Sequence, residues 1–207
     1  MLDKNLGKSG LRVSVVGLGC NNFGAWLDLA GAKTVVHKAL DEGITLFDTA
    51  DMYGNRGGSE TALGEILGAQ RKNIVLASKF GMQMDEAGKL KGGSRRYIMS
   101  AVEASLQRLR TDWIDLYQLH RPDPLTPIEE TLRALDDLVR QGKVRYIGCS
   151  NIAAWQVVEA AWTAKSAGLN AFASCQDEYS LLSRKPEADL APVTEHYGLG
   201  ILPYYPL

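Results

Sequence analysis

Four side chains in this sequence could share one piece of chemistry: Asp48, Tyr53, Lys79 and His120. A carboxylate, a phenol, an ammonium and an imidazole gathered at one mouth suit acid–base work on a carbonyl group. Free tyrosine, with a pKa of ~10, is a poor acid at neutral pH. A lysine cation beside it would stabilise the phenolate and lower that value. Asp48 would pair with Lys79 and hold it, and His120 would orient the substrate oxygen. Each of the four has a plainer reading as a cap, a surface charge or a satisfied core residue. Their shared placement argues against four separate accidents, because each follows an apolar run. Lys79 alone would also suit a Schiff-base nucleophile, which needs desolvation or a second cation. Asp48 nearby would instead keep it protonated.

The elements that must position these groups follow from the apolar pattern. Asn5 to Val13 reads as a small hairpin turning at Gly7 to Gly10. Short apolar runs then alternate with amphipathic stretches. The expected strands are Val15–Gly19, Ile44–Phe47, Ile74–Ala77, Ile114–Leu119, Val144–Gly148, Phe172–Ser174 and Gly200–Leu202. The expected helices are Ala32–Glu42, Glu60–Gly68, Arg95–Leu109, Pro127–Gln141, Ala153–Ala167 and Pro186–His196, with Ser94 as an N-cap for the third. Gly54 to Gly58 reads as a loop. Strand–helix alternation with short connections implies parallel strands and right-handed crossovers. The fold class is therefore α/β: a (β/α)8 TIM-type barrel lacking its last unit, with an N-terminal β-hairpin. Residues 1–207 form a single, incomplete barrel domain with about seven of eight strands. In such a barrel the carboxyl ends of the strands line one face, and that face would collect Asp48, Lys79, His120, Ser150, Asn151, Gln176 and Tyr204. Gly17-x-Gly19 with Gly24 misses the dinucleotide fingerprint G-x-G-x-x-G, and no helix opens at once after it.

Composition bounds the partners. In 207 residues with 45% hydrophobic and 23% charged side chains, one ordinary core is expected. A net charge of −1 argues against a nucleic-acid or basic membrane-surface binder. No apolar run approaches the ~20 residues of a membrane helix. The 3 cysteines, Cys20, Cys149 and Cys175, lack metal-finger spacing and suit a reducing, cytoplasmic setting as small apolar fillers.

The ordered set Asp48-x-x-x-x-Tyr53-Gly54, Ser78-Lys79, Leu119-His120-Arg121-Pro122-Asp123, Gly148-x-Ser150-Asn151, Gln176-x-x-Tyr179-x-Leu181 and Tyr204-x-Pro206-Leu207 resembles the aldo-keto reductases. Any one motif is weak; the set in this order is specific, and it runs from the hairpin to the last residue. The resemblance implies reduction of an aldehyde or ketone by NAD(P)H, NADP(H) ahead of NAD(H), with a small-molecule carbonyl substrate. Tyr53 would be the proton donor and Asp48, Lys79 and His120 would complete the tetrad. Ser150, Asn151 and Gln176 would bind the nicotinamide carboxamide, Tyr204 would stack on its ring, and Leu207 would lie near the pyrophosphate. Trp26 would wall the substrate pocket. Tyr205 stands where many members carry serine, and Asp177 where many carry asparagine. The family continues past Pro206-Leu207 into an eighth unit, so the chain is expected to be a C-terminally truncated member whose open barrel edges invite self-association. A non-catalytic nicotinamide-binding regulator like the potassium-channel β subunits is the alternative.

Overall fold

The structure, a computed structural model, describes residues 1–206. Two short antiparallel strands, β1 (Asp3–Asn5) and β2 (Arg12–Ser14), form the hairpin. Seven parallel strands follow in strict sequence order: β3 (Gly17–Gly19), β4 (Leu46–Asp48), β5 (Val75–Phe80), β6 (Ile114–Leu119), β7 (Val144–Ser150), β8 (Ser174–Glu178) and β9 (Gly200–Tyr204). The sheet curls into a nearly closed barrel, and among the described residues β3 pairs only with β4 and β9 only with β8. This is the architecture expected of a (β/α) barrel short of one unit.

The helices are α1 (Leu29–Asp41), α2 (Tyr53–Leu67), α3 (Arg95–Leu109), α4 (Ile128–Arg140), α5 (Ala154–Ala167) and α6 (Leu190–Tyr197). None of the described helices is long and apolar enough to cross a membrane. Local chemistry explains their ends. Ser94 is extended, its hydroxyl accepts from the Tyr97 amide, and α3 then buries Ile98, Val102, Leu106 and Leu109 along one stripe before Arg110 turns left-handed. Asp28 caps α1 in the same way, accepting from the Gly31 amide at 2.8 Å.

Three expectations need correction. Val15 and Val16 lie outside β3 and are about half exposed, since β3 finds a partner only at Leu46 to Asp48. The expected helix over Pro186–His196 is a 3-10 turn (Lys185–Glu187) followed by α6. The sixth expected run, Phe172–Ser174, is displaced: Phe172 is core packing below the ladder, and the strand proper runs through the polar residues Ser174 to Glu178.

Alternation along the strands sorts the barrel interior into layers. The lowest is apolar: Leu46, Ala77 and Leu116 pack against Leu6, Leu11 and Val13 of the hairpin, which plugs this end. Two residues further along each strand come Asp48, Lys79, Gln118, Gly148 and Ser174. His120, Ser150, Gln176 and Tyr204 form the mouth. The opposite faces of the strands pack under the helices, with Phe47, Leu76, Phe80, Tyr117 and Cys149 in the main core.

Candidate active site

Asp48 closes β4 and Lys79 is the fifth residue of β5, so neighbouring parallel strands present them inward side by side. Lys79 is fully buried. All three of its ammonium protons have acceptors: Asp48 Oδ2 at 2.7 Å, the Thr49 carbonyl at 3.0 Å and Tyr53 Oη at 3.4 Å. Burial opposes its charge, but Asp48 and Tyr53 together offset that cost and Lys79 titrates above its usual value. It is an ammonium at neutral pH, which disfavours the Schiff-base reading of this residue.

Tyr53 is delivered by an unusual turn. Gly54, Asn55, Arg56 and Gly57 all have positive φ, at 66°, 57°, 67° and 119°, so α2 opens with a left-handed turn before its right-handed body. This is the segment read from sequence as a loop. A Cβ on Gly54 would fall 2.4 Å from the Phe23 carbonyl, and Asn55 and Arg56 carry a left-handed cost of roughly 1–2 kcal/mol each. The segment is held by neighbours: the Asp51 amide donates to the Lys79 carbonyl at 3.0 Å, and Ser59 Oγ donates to the Cys20 carbonyl at 2.7 Å.

Burial pushes the Tyr53 phenol above its usual value, while the Lys79 cation draws it back down. The sequence-based expectation of a lowered pKa is therefore met in the Lys79 contribution and reversed in the net direction, because the site is drier than a lysine–tyrosine pair in water. His120 begins the turn after β6 and is 8% exposed. Its ring stands edge-on to Tyr53, with centroids 5.6 Å apart and planes at 85°. Burial, then the charges of Lys79 and Arg121, depress its pKa to about 3. The imidazole is neutral, and its buried Nδ1 has no hydrogen-bond partner.

The remaining mouth residues converge on Asn151. Tyr204 Oη donates to Asn151 Oδ1 at 2.8 Å, and Asn151 Nδ2 reaches Ser150 Oγ at 2.9 Å and the His120 carbonyl at 3.2 Å. Asn151 itself is left-handed, φ 53°, and its amide donates to the Gln176 carbonyl at 2.9 Å. Gln176 is 6% exposed. Trp26, on the loop after β3, is 89% exposed, and no hydrogen bond or ring contact links it to the tetrad among the described residues. Leu207 lies outside the described residues.

Sequence reasoning missed two interior residues of this layer, Gln118 and Ser174. Gln118 Nε2 donates to Asp48 Oδ1 at 3.4 Å, and Ser174 Oγ donates to Gln118 Oε1 at 3.3 Å. The signal was present: Leu116, Gln118 and His120 share one face of β6, so a candidate at 120 places 118 beneath it.

With an ion pair, a phenol and a neutral imidazole at the carboxyl end of a parallel barrel, comparison with known proteins is decisive. The family described as aldo/keto reductase matches residues 15–207. The chain belongs to the aldo/keto reductase family. An uncharacterized oxidoreductase, YrpG of Bacillus subtilis, is 40% identical over 98% of this chain and 65% of its own length. Versiconal hemiacetal acetate reductase of Aspergillus parasiticus is 36% identical over 98% of this chain and 66% of its own. A probable voltage-gated potassium channel subunit beta of Oryza sativa is 38% identical over 99% of this chain and 63% of its own. The chain thus spans slightly under two thirds of the length of these relatives.

Proposed function

We propose that the protein reduces an aldehyde or ketone to an alcohol at the Tyr53 mouth, using a reduced nicotinamide cofactor, NADP(H) ahead of NAD(H). The observation that carries this reading is the triple satisfaction of Lys79 by Asp48, Thr49 and Tyr53. It leaves a buried cation whose one neighbour with a transferable proton is the Tyr53 phenol. As the carbonyl oxygen gains charge, Tyr53 Oη gives up its proton and the phenolate formed is held beside the ammonium. His120 is neutral, so it orients the oxygen by donating a hydrogen bond rather than by supplying a proton. Its Nδ1 has no acceptor within reach, which favours the tautomer with the proton on Nε2. Family membership and the oxidoreductase names of two relatives support the same reading.

The donor set at the mouth suits a nicotinamide. The Gln176 side-chain amide makes no hydrogen bond among the described residues, and Ser150 Oγ accepts one without donating any; an amide and a hydroxyl together match a carboxamide. Ser150, Asn151 and Gln176 would hold that group, Tyr204 would cover the ring face, and Leu207 would lie toward the pyrophosphate. A bound reduced nicotinamide would supply the hydride. Trp26 would lie against the substrate, a small carbonyl compound. The proposed setting is the cytoplasm, and the free edges of β3 and β9 suit self-association.

The second reading is a nicotinamide-binding regulator, favoured by the likeness to the rice channel subunit. Turnover of nitrobenzaldehyde with NADPH and with NADH separates the two. Steady reduction that is lost in Tyr53→Phe is the expected result. Cofactor binding with no turnover of any aldehyde would overturn the enzyme reading.

A further inference from the structure

We infer that Gln118 is a positioning residue for the Asp48–Lys79–Tyr53 array, held in register by Ser174. A carboxylate bonded through one oxygen can still swing about its own axis. Lys79 takes Asp48 Oδ2 at 2.7 Å, and Gln118 Nε2 approaches the other oxygen, Oδ1, at 3.4 Å, so the plane of the carboxylate is fixed from two sides. A glutamine amide can itself turn over, presenting oxygen instead of nitrogen. Ser174 Oγ, donating to Oε1 at 3.3 Å, makes the flipped amide unfavourable, because it would set oxygen against oxygen at Asp48 and leave the hydroxyl without its acceptor. Gln118, Ser174 and Lys79 are all fully buried, so solvent does not reach the Gln118–Ser174 contact. Both contacts lie at the long end of the hydrogen-bond range.

Gly148 makes the arrangement possible. A Cβ there would lie 2.3 Å from Ser174 Oγ and 3.1 Å from Gln118 Cγ. β7 is thus hollow where β6 and β8 reach across it, and register places Gly148 opposite both Gln118 and Ser174. One polar chain runs from β8 through β6 to β4, then to β5 and the Tyr53 phenol.

The consequence is electrostatic as well as geometric. Asp48 raises the Tyr53 pKa and Lys79 lowers it. Removing the amide that shares Asp48 Oδ1 leaves more of the carboxylate's charge facing the pair, so the phenol becomes harder to ionise.

This role rests on the reductase reading above, and the test separates the two. Phenolate absorbance is titrated in wild type and in Gln118→Leu, each against its own Tyr53→Phe background, and aldehyde reduction is measured in parallel. The expected result is a Tyr53 titration moved to higher pH in Gln118→Leu, with kcat down about tenfold and KM changed less than about twofold. Ser174→Ala, which keeps Gln118 but frees its amide, shows a smaller effect of the same sign and no further effect in the Gln118→Leu background. An unchanged Tyr53 titration in Gln118→Leu, or effects of the two substitutions that add fully, overturns the inference. If Gln118→Leu does not fold, Ser174→Ala with Ser174→Thr as its hydroxyl-keeping control decides by the same titration. If wild type turns over no aldehyde, the enzyme reading fails while the titration still decides the role of Gln118.

Discussion

β5 carries two buried polar clusters back to back. Lys79 faces into the barrel and meets Asp48 and Tyr53; Ser78, one residue earlier, faces out and meets Glu60 at 2.5 Å. Behind the sheet, Glu60 pairs with Arg108 of α3 at 2.7 Å, and Asp51 accepts from Tyr97 Oη at 3.3 Å. Each cluster combines acid, cation and tyrosine. They differ in balance and in access. Inside the barrel one cation meets one carboxylate, and the pair opens on the mouth through Asp48. Outside it, two carboxylates share one guanidinium beneath two helices, and one Asp51 oxygen has no partner. Burial, then repulsion from Glu60, raises the Asp51 pKa to about 7, with Arg108 and the Tyr97 hydroxyl only partly opposing the rise. The same residue types form a balanced ion pair beside a phenol at the solvent-facing edge, and behind the sheet a sealed tie in which one acid titrates far above its usual value.

Substitutions in each cluster should therefore fail in different ways. Tyr53→Phe should abolish carbonyl reduction, about 10²–10⁴-fold in kcat, with cofactor affinity nearly unchanged, because the proposed mechanism uses the phenolic proton only in the chemical step. Retention of more than a few per cent of wild-type kcat would remove Tyr53 as the acid. Lys79→Met should also inactivate, since the phenol loses the cation that draws its pKa down, each unit being worth ~1.36 kcal/mol. A pH–rate profile matching wild type would break the pairing argument. Arg108→Met should act on stability instead, leaving the Glu60 carboxylate buried without its cation and costing about 3 kcal/mol in urea unfolding. If it lowered kcat in still-folded protein as much as Lys79→Met does, the contrast between the two clusters would collapse.

The smallest effect concerns Asp51. Its folded pKa, about 7, lies above the usual 3.8, so the folded protein binds the proton more tightly than the unfolded chain. The contribution is fully present below about pH 4 and is lost as pH rises through about 7. Wild type should lose stability over that window, at most about 1.4 kcal/mol per pH unit, and Asp51→Asn should flatten the slope. Melting curves taken across that window, with an unchanged slope in Asp51→Asn, would show that another group titrates there.

The strand–helix order, the hairpin and the inward placement of Asp48, Lys79 and His120 were legible in the sequence, because apolar period and glycine stops report where chain enters and leaves the core. Strand ends were not. Hydrophobicity stops at Ala77, Gly148 and Ser174, yet the ladders run on through Ser78 to Phe80, Cys149 to Ser150 and Cys175 to Glu178. A barrel continues its hydrogen bonding into the polar residues it delivers to the mouth, so pattern alone cuts each strand short. The left-handed entry to α2 left only its glycines as a trace, since Asn55 and Arg56 are exposed and are carried through the turn between the buried Gly54 and Gly57. Gln118 was hidden for another reason: an uncharged side chain inside a buried strand looks like filler until the residue two places on is taken as a site candidate.

The hairpin plug has a consequence for how the chain is made. Lys8 donates its amide to the Gly198 carbonyl at 2.8 Å, almost the whole sequence away. On a ribosome adding about 5–20 residues per second, the opening segment waits roughly 10–40 s for that partner to be synthesised. Throughout that interval Leu6, Leu11 and Val13 have no finished barrel end to cover, so the hairpin, made well before Gly198, is among the last parts to find its place. A nascent chain arrested before residue 198 should leave the hairpin open to protease while α3 and β6 are already protected.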